Sequence, residues 1–464
     1  MRIKRVFALT LSALMAGSIL AGCSNDKANS DSGSAQTAAT TTAAQITEAP
    51  GNGNIDGKGA TLKVLTHRTD RVEDGTLQKL TKAFEEKYNC KVEYQGFTDY
   101  ESDVSTMLTT KNYGDVLMVP TSVKLSDLGN FFEPLGAYDE LDKEWMWAET
   151  RMSNNTVYGI SMGGTASGIL YNTKVWKEAG ITTLPKTPQE FIECLKKIKA
   201  QTSAIPYYTQ YADASWTITQ WQSLVVSASG DPNYENRIME NKEDLFKEGE
   251  GYYTVYKMLF DIFSDPTLTE EDHATTDWEG SKPAFAEGKI ATVVLGSWAI
   301  SQFQAFAEDP NDIGFMPFPN TVNGKVWAQT ASDYCLGVNK NSSNIELGKA
   351  YINWFCGDSG FAMNEGMISP KKGAALPENL SAFAGAEMFS ATVAPEELTG
   401  KFNEIDMDSE VGTWQGDSNN FKIQLAEAAF AGKGEAAMKA IFEDANKRFS
   451  TSRDKILADY YKSK

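Results

Sequence analysis

One serine in the sequence sits where nucleophilic catalysis would place it. Gly159-Ile160-Ser161-Met162-Gly163 matches Gly-x-Ser-x-Gly, and His273 follows downstream, as the base of a hydrolase would. Acyl transfer needs that serine on a sharp strand-to-helix turn, with an imidazole and an oxyanion hole in reach. The residues that follow, Gly163-Gly164-Thr165-Ala166-Ser167-Gly168, are too glycine-rich to start a helix and lead into an apolar strand at Ile169–Tyr171. Metal chemistry is no better served. The two histidines, His67 and His273, stand in no His-Glu-x-x-His pattern and beside no second ligand. Cys90, Cys194, Cys335 and Cys356 are scattered without a Cys-x-x-Cys pair and read as free buried thiols. No Walker loop or Gly-x-Gly-x-x-Gly occurs. The residues therefore predict no catalytic group, no metal and no cofactor. A carboxylate pair for glycoside hydrolysis depends on three-dimensional separation, so a surface-anchored hydrolase, glycoside hydrolase or esterase, stays as the alternative.

The elements that would position any site follow from periodicity. Leu62–Thr66 reads as a strand, Gly75–Tyr88 as a helix with Leu77, Leu80, Phe84 and Tyr88 on one face, Lys91–Gln95 as a strand, Asp99–Lys111 as a helix, and Asp115–Val119 as a buried strand. Alternating strands and helices imply a mostly parallel sheet covered on both faces. Ligands of such sheets sit at the carboxyl ends of the strands, which selects the loops at 67–71, 95–99 and 120–123. Farther on, Thr187-Pro188-Gln189-Glu190 is a capping box with proline at the first helical position, opening a helix with Phe191, Leu195 and Ile198 on its apolar face. Ile290–Leu295 reads as a strand, Trp298–Ala307 as a helix, Asp333–Asn339 as a strand, Ile345–Phe355 as a helix, and the chain from Asn420 onward as nearly all helix. No internal repeat is visible.

The N-terminus supplies an address. Arg2, Lys4 and Arg5 precede an uncharged apolar run, Val6–Ile19, shorter than the ~20 residues a spanning helix needs. The run ends in Leu20-Ala21-Gly22-Cys23, which resembles the lipobox of bacterial lipoproteins and implies a signal peptide over 1–22 and lipidation of Cys23. Residues 24–58 are rich in Ser, Ala, Thr, Asn, Asp and Gly and hold no aromatic side chain, so they read, together with Cys23, as a disordered tether over 23–58. The expected location is the extracellular face of a bacterial cell membrane, held through lipid alone.

The formal charge of −19 includes three cations of the signal and no anion there, so the mature chain is more negative still by three. Such a surface repels phosphate backbones and argues against nucleic acid as a partner. Aromatic residues make up 11%, with 10 Trp, which suits apolar sugar faces as well as cores.

Three blocks carry a family resemblance. Val157-Tyr158-Gly159-Ile160-Ser161 precedes Gly168-Ile169-Leu170-Tyr171-Asn172-Thr173-Lys174-Val175-Trp176-Lys177-Glu178-Ala179-Gly180 and Pro185-Lys186-Thr187-Pro188. Phe285-Ala286-Glu287-Gly288-Lys289-Ile290-Ala291 leads to Gly296-Ser297-Trp298. Ile313-Gly314-Phe315-Met316-Pro317-Phe318-Pro319 leads to Leu336-Gly337-Val338-Asn339. In this order they resemble family 1 extracellular solute-binding proteins, the maltose-binding-protein group of ABC importers.

That resemblance implies an α/β fold of two lobes, periplasmic-binding-protein-like, with a hinge and a central ligand cleft. By similarity, lobe I takes residues 59–164 plus 336–395, and lobe II takes 165–335 plus 396–464. It implies a monomer with a carbohydrate ligand, an oligosaccharide delivered to the permease subunits of an ABC transporter. The ligand-binding positions it suggests are Trp298, Trp414 and Trp216 for stacking, Asp333 and Tyr334 at a crossing, and Arg68, Asp70, Gln95 and Ser122 in the first-lobe loops. Thr165 and Ser122 stand where the maltose receptor carries acids, so maltose itself is not implied.

Overall fold

Strand Thr61–Thr66 forms the middle of one sheet because Leu62, Val64 and Leu65 are buried on both of its faces, as a covered parallel strand requires. It pairs in parallel with Lys91–Gly96 on one side and Val116–Met118 on the other. Cys335–Val338 then adds antiparallel to Val116–Met118, and Ile160–Ser161 closes the far edge. The intervening helices are shorter than their sequence pattern suggested: Thr76–Leu80 and Lys82–Tyr88 break at Thr81, and Tyr100–Met107 ends four residues before Lys111. Phe84, Tyr100, Leu117 and Tyr351 lie in the core of this first lobe. The computed structural model describes residues 55–464 apart from 214–217 and 415–419. The signal, Cys23 and the tether as far as residue 54 lie outside the described residues.

The second lobe is built on Gly164–Asn172, a nine-residue strand. It pairs antiparallel with Ile313–Met316, with Thr292–Gly296, and at its start with Lys325–Ser332. Thr187 caps the helix Pro188–Gln201, accepting from Glu190 N at 3.1 Å, while the Glu190 carboxylate accepts from Lys186 N at 2.7 Å. Phe191, Leu195 and Ile198 of that helix are buried, and the helices Gly251–Phe263, Phe421–Phe430 and Gly434–Ile456 complete a core around Trp221, Tyr256 and Phe421.

Among the described residues three chain passages join the lobes, and they bond to one another. Asp333 N donates to Gly163 O at 2.9 Å, while Gly164 and Ile368 exchange both backbone bonds at 2.8 and 2.9 Å. Gly164 lies directly against the indole of Trp147, where any Cβ would collide with the ring. The third passage departs from the sequence expectation. The family resemblance places residues 336–395 in the first lobe, but Phe383 stacks on Phe315 and Glu387–Phe389 pairs in parallel with Lys325–Ser332. Lys372 N still bonds Glu144 O, so the chain changes lobe between there and Leu376. The stretch Lys371-Lys372-Gly373-Ala374-Ala375 has no apolar periodicity, which is why the position of the change was not legible.

Candidate functional site

A cavity of about 440 Å³ opens between the lobes at the carboxyl end of Thr61–Thr66. Its first-lobe wall is His67, Arg68, Asp70 and Arg71 with Glu365, Gly366 and Met367; its second-lobe wall includes Thr165, Ser297, Trp298 and Ser301; Asp333 stands at the crossing between them.

Trp298 owes its place to strand register. Thr292–Gly296 runs antiparallel to Gly164–Asn172 with Gly296 opposite Ser167, so the next two residues come level with Ala166 and Thr165 at the crossing. Ser297 Oγ accepts from Ala166 N at 2.9 Å and fixes the turn. The indole of Trp298 folds back over Gly296, whose lack of a side chain leaves the room. Trp298 is 36% exposed, unusual for an indole in a well-packed lobe. Trp278 supports it at 6.1 Å between ring centroids, with Lys282 Nζ above the far ring at 4.6 Å.

The opposite wall is ionic. Arg68 donates from Nε and Nη2 to both oxygens of Asp70, at 3.0 and 2.8 Å, and from Nη2 to Glu365 at 2.7 Å. Arg71 grips the same Glu365 from Nε at 2.9 Å and Nη2 at 3.1 Å. Burial opposes the charge on Arg68, but Asp70 and Glu365 outweigh it and push its pKa upward. The bond from Arg68 holds Asp70 below its ordinary value. His67 is the exception: burial lowers its pKa, against the pull of Asp333, so the ring is neutral at pH 7. Its Nδ1 meets Met118 Sδ at 3.0 Å, and its face lies 5.0 Å from the ring of Tyr334. The wall can therefore offer carboxylate acceptors, guanidinium donors and an uncharged imidazole to a polyhydroxyl ligand facing an indole.

The structure brings together Trp298, Asp333, Arg68 and Asp70. The other expected positions lie elsewhere. Tyr334 does not line the cavity; its ring packs beneath His67 and against Tyr100, and burial raises its pKa to about 12. Gln95 is half-buried opposite Leu65, and the turn Thr69–Glu73 lies over the neighbouring Gly96, so that turn faces the cavity instead. Ser122 is exposed and bonds Ser105 Oγ at 2.8 Å, tying its loop to the helix Tyr100–Met107. Trp414, 52% exposed, borders a separate cavity of about 260 Å³ with Glu235, Asn236 and Phe402. The segment that carries it is pinned from below: buried Asp406 accepts from Thr413 N, and buried Lys422 donates to Gly412 O and Thr413 O. Trp216 lies outside the described residues.

Glu365, which joins both arginines, was missed. It follows the short helix Phe361–Asn364, and Gly366 at φ +68° turns the chain away. Nothing in its local pattern separates it from the many surface acids. Arg71 lies in the strand-end loop 67–71 that topology selects, but nothing sets it apart there, and Ser301 and Trp278 carry no local signal of a site. The Gly-x-Ser-x-Gly segment makes no elbow: Ser161 is buried, its hydroxyl donates to Gly163 O at 2.6 Å, and a strand follows. His273 belongs to the second lobe, bonded to Thr269 at 3.1 Å and stacked on Phe430.

Comparison with known proteins points the same way. The sequence model described as bacterial extracellular solute-binding protein matches residues 69–360. A solved manno-oligosaccharide-specific solute-binding protein from Bifidobacterium animalis subsp. lactis, in complex with mannotriose, is 33% identical, with a TM-score of 0.72 over 86% of this chain and 95% of that one. The diacetylchitobiose-binding protein DasA of Streptomyces coelicolor is 26% identical, covering 87% of this chain and 95% of its own. The multiple sugar-binding protein of Streptococcus mutans is 24% identical over 61% of this chain and 68% of its own.

Proposed function

Because the chain belongs to the bacterial extracellular solute-binding proteins, we propose that it captures an oligosaccharide between its lobes and hands it, unaltered, to the permease of an ABC importer. The observation that carries this reading is Trp298. An exposed indole on one wall faces the Arg68, Asp70 and Glu365 cluster on the other, pairing an apolar platform for a pyranose face with donors and acceptors for its hydroxyls. The relatives described above are named as binding proteins for sugars, and two-unit and three-unit manno-oligosaccharides are the first ligands to try. Ligand touching both lobes favours the closed arrangement by its differential affinity, and that arrangement is what a permease would recognise. In this reading Cys23 carries lipid, and the tether lets the lobes reorient near the membrane.

Calorimetric titration of the mature protein with mannobiose, mannotriose and diacetylchitobiose tests the reading, repeated with Trp298→Ala. Stoichiometric binding without product, weakened by the substitution, supports it; turnover of the sugar, or indifference to Trp298, overturns it. Mass spectrometry of the mature N-terminus tests the anchor separately: an unacylated Cys23 removes it.

A further inference from the structure

The cavity at Trp298 does not end at its second-lobe wall. Ser301, Glu365 and Gly366 also border a second space of about 450 Å³ on the far flank of the helix Ile300–Gln304. Both lobes contribute to it: Met363 and Asn364 from the first, Tyr171, Gln304, Asn311 and Asn379 from the second. Resting on the carbohydrate reading above, we propose that this second chamber binds further neutral glycosyl units of a longer chain threaded past Ser301 and Gly366.

Three observations converge on that assignment. The first is an unsatisfied acceptor. Asn379 Nδ2 donates to Gly366 O at 3.2 Å across the edge shared by the two spaces, whereas its Oδ1 is buried and has no hydrogen-bond partner among the described residues. Leaving a buried acceptor unpaired costs free energy, and rotation of the Asn379 amide away from Gly366 would turn its polar atoms to an entering hydroxyl and recover it. The second is a fixed aromatic wall. The ring of Tyr171 lies over Gly314, where a Cβ would come within 2.5 Å of its Cζ, and against Trp176 at 4.9 Å, so it meets a ligand without losing rotamer freedom. The third is charge. Among the described residues that line the chamber there is no lysine or arginine, while Glu365 and Glu378 both border it. Amides and hydroxyls beside the Glu378 carboxylate, with Glu365 already offset by Arg68 and Arg71, suit uncharged sugar units rather than anionic ones.

The test is calorimetry of the mature protein against manno-oligosaccharides of two to six units, in wild type and in an Asn364→Ala/Asn379→Ala double variant. Asn364 is exposed, and each single variant, checked by its melting curve, separates ligand effects from folding. The expected result is affinity that rises with chain length in wild type, and a loss of about tenfold in the double variant for the longest chains alone, as one or two lost hydrogen bonds imply. Equal affinity at every length, or a loss shared equally by the dimer, overturns the second chamber while leaving capture at Trp298 intact. Failure of wild type to bind any member of this series, or of diacetylchitobiose and its longer homologues run beside it, overturns the carbohydrate reading and the second chamber with it.

Discussion

Gly296 and Trp298 stand two residues apart in the chain and in direct contact in space: a Cβ on Gly296 would lie 2.5 Å from both Cδ1 and Nε1 of the indole. The backbone of Gly296 is extended, at φ −83° and ψ 162°, so alanine fits the main chain there and the ring alone must yield. Gly296→Ala should therefore move the indole out of its binding pose. Affinity for the bound sugar is expected to fall about tenfold, with stability changed by no more than about 1 kcal/mol because the ring is displaced toward solvent. Titration beside thermal melting checks both parts, and unchanged affinity would refute the pose.

Trp298→Ala removes the platform itself. Truncating a central aromatic anchor typically costs about 2 kcal/mol or more, so the dissociation constant should rise by about thirtyfold with the fold intact. Quenching of tryptophan fluorescence by ligand should shrink in parallel.

Glu365 accepts from two guanidinium groups while its own side chain is 8% exposed. Glu365→Gln leaves Arg68 and Arg71 short of one compensating charge in a half-buried setting. A loss of about 1–3 kcal/mol is expected, seen as a lower urea midpoint with an unchanged slope. Restoring the carboxylate with Asp should not recover it fully, since the shorter stem cannot reach both arginines.

His67 has its pKa lowered by burial, so the folded protein takes up its proton less readily than the unfolded chain. Well above the ordinary histidine value the ring is uncharged in both states and contributes nothing to the pH dependence. As pH falls through the ordinary histidine value of 6.5, the unfolded chain gains a proton that the folded chain resists, and stability drops. Asp333 and Asp70 soften the effect and Arg68 strengthens it. His67→Gln should flatten the fall in melting temperature between pH 7 and pH 5; an identical pH profile in the variant would rule the histidine out as its source. His273, lowered likewise by burial, leaves a residual slope in that variant.

Much of the fold was legible because its signals are local. The strand at 61–66 announced itself by apolar content, and the helix at 188–201 by the Thr187 cap and Pro188. Sites at strand ends follow from topology, which is how Arg68 and Asp70 came to be singled out. The misses share a cause. Glu365 meets Arg68 across 297 residues, and Tyr334 turned from the cavity because His67 and Tyr100 offered its ring a better surface. Pairings over such separations leave no periodic trace. The change of lobe before Leu376 was hidden for the same reason: what decides it is the stacking of Phe383, at the end of a short helical segment, on Phe315 of a strand far away in the chain.

The backbone bonds that tie Gly163, Gly164, Asp333 and Ile368 to one another carry a mechanical consequence. Three separate linkers could each twist on their own and let one half wander in several directions. Stitched together, they share whatever torsion any one of them takes up, and relative motion collapses toward a single swing. An outside observer that touches both halves could then sense occupancy from one angle, with few half-way postures to mistake for a filled receptor.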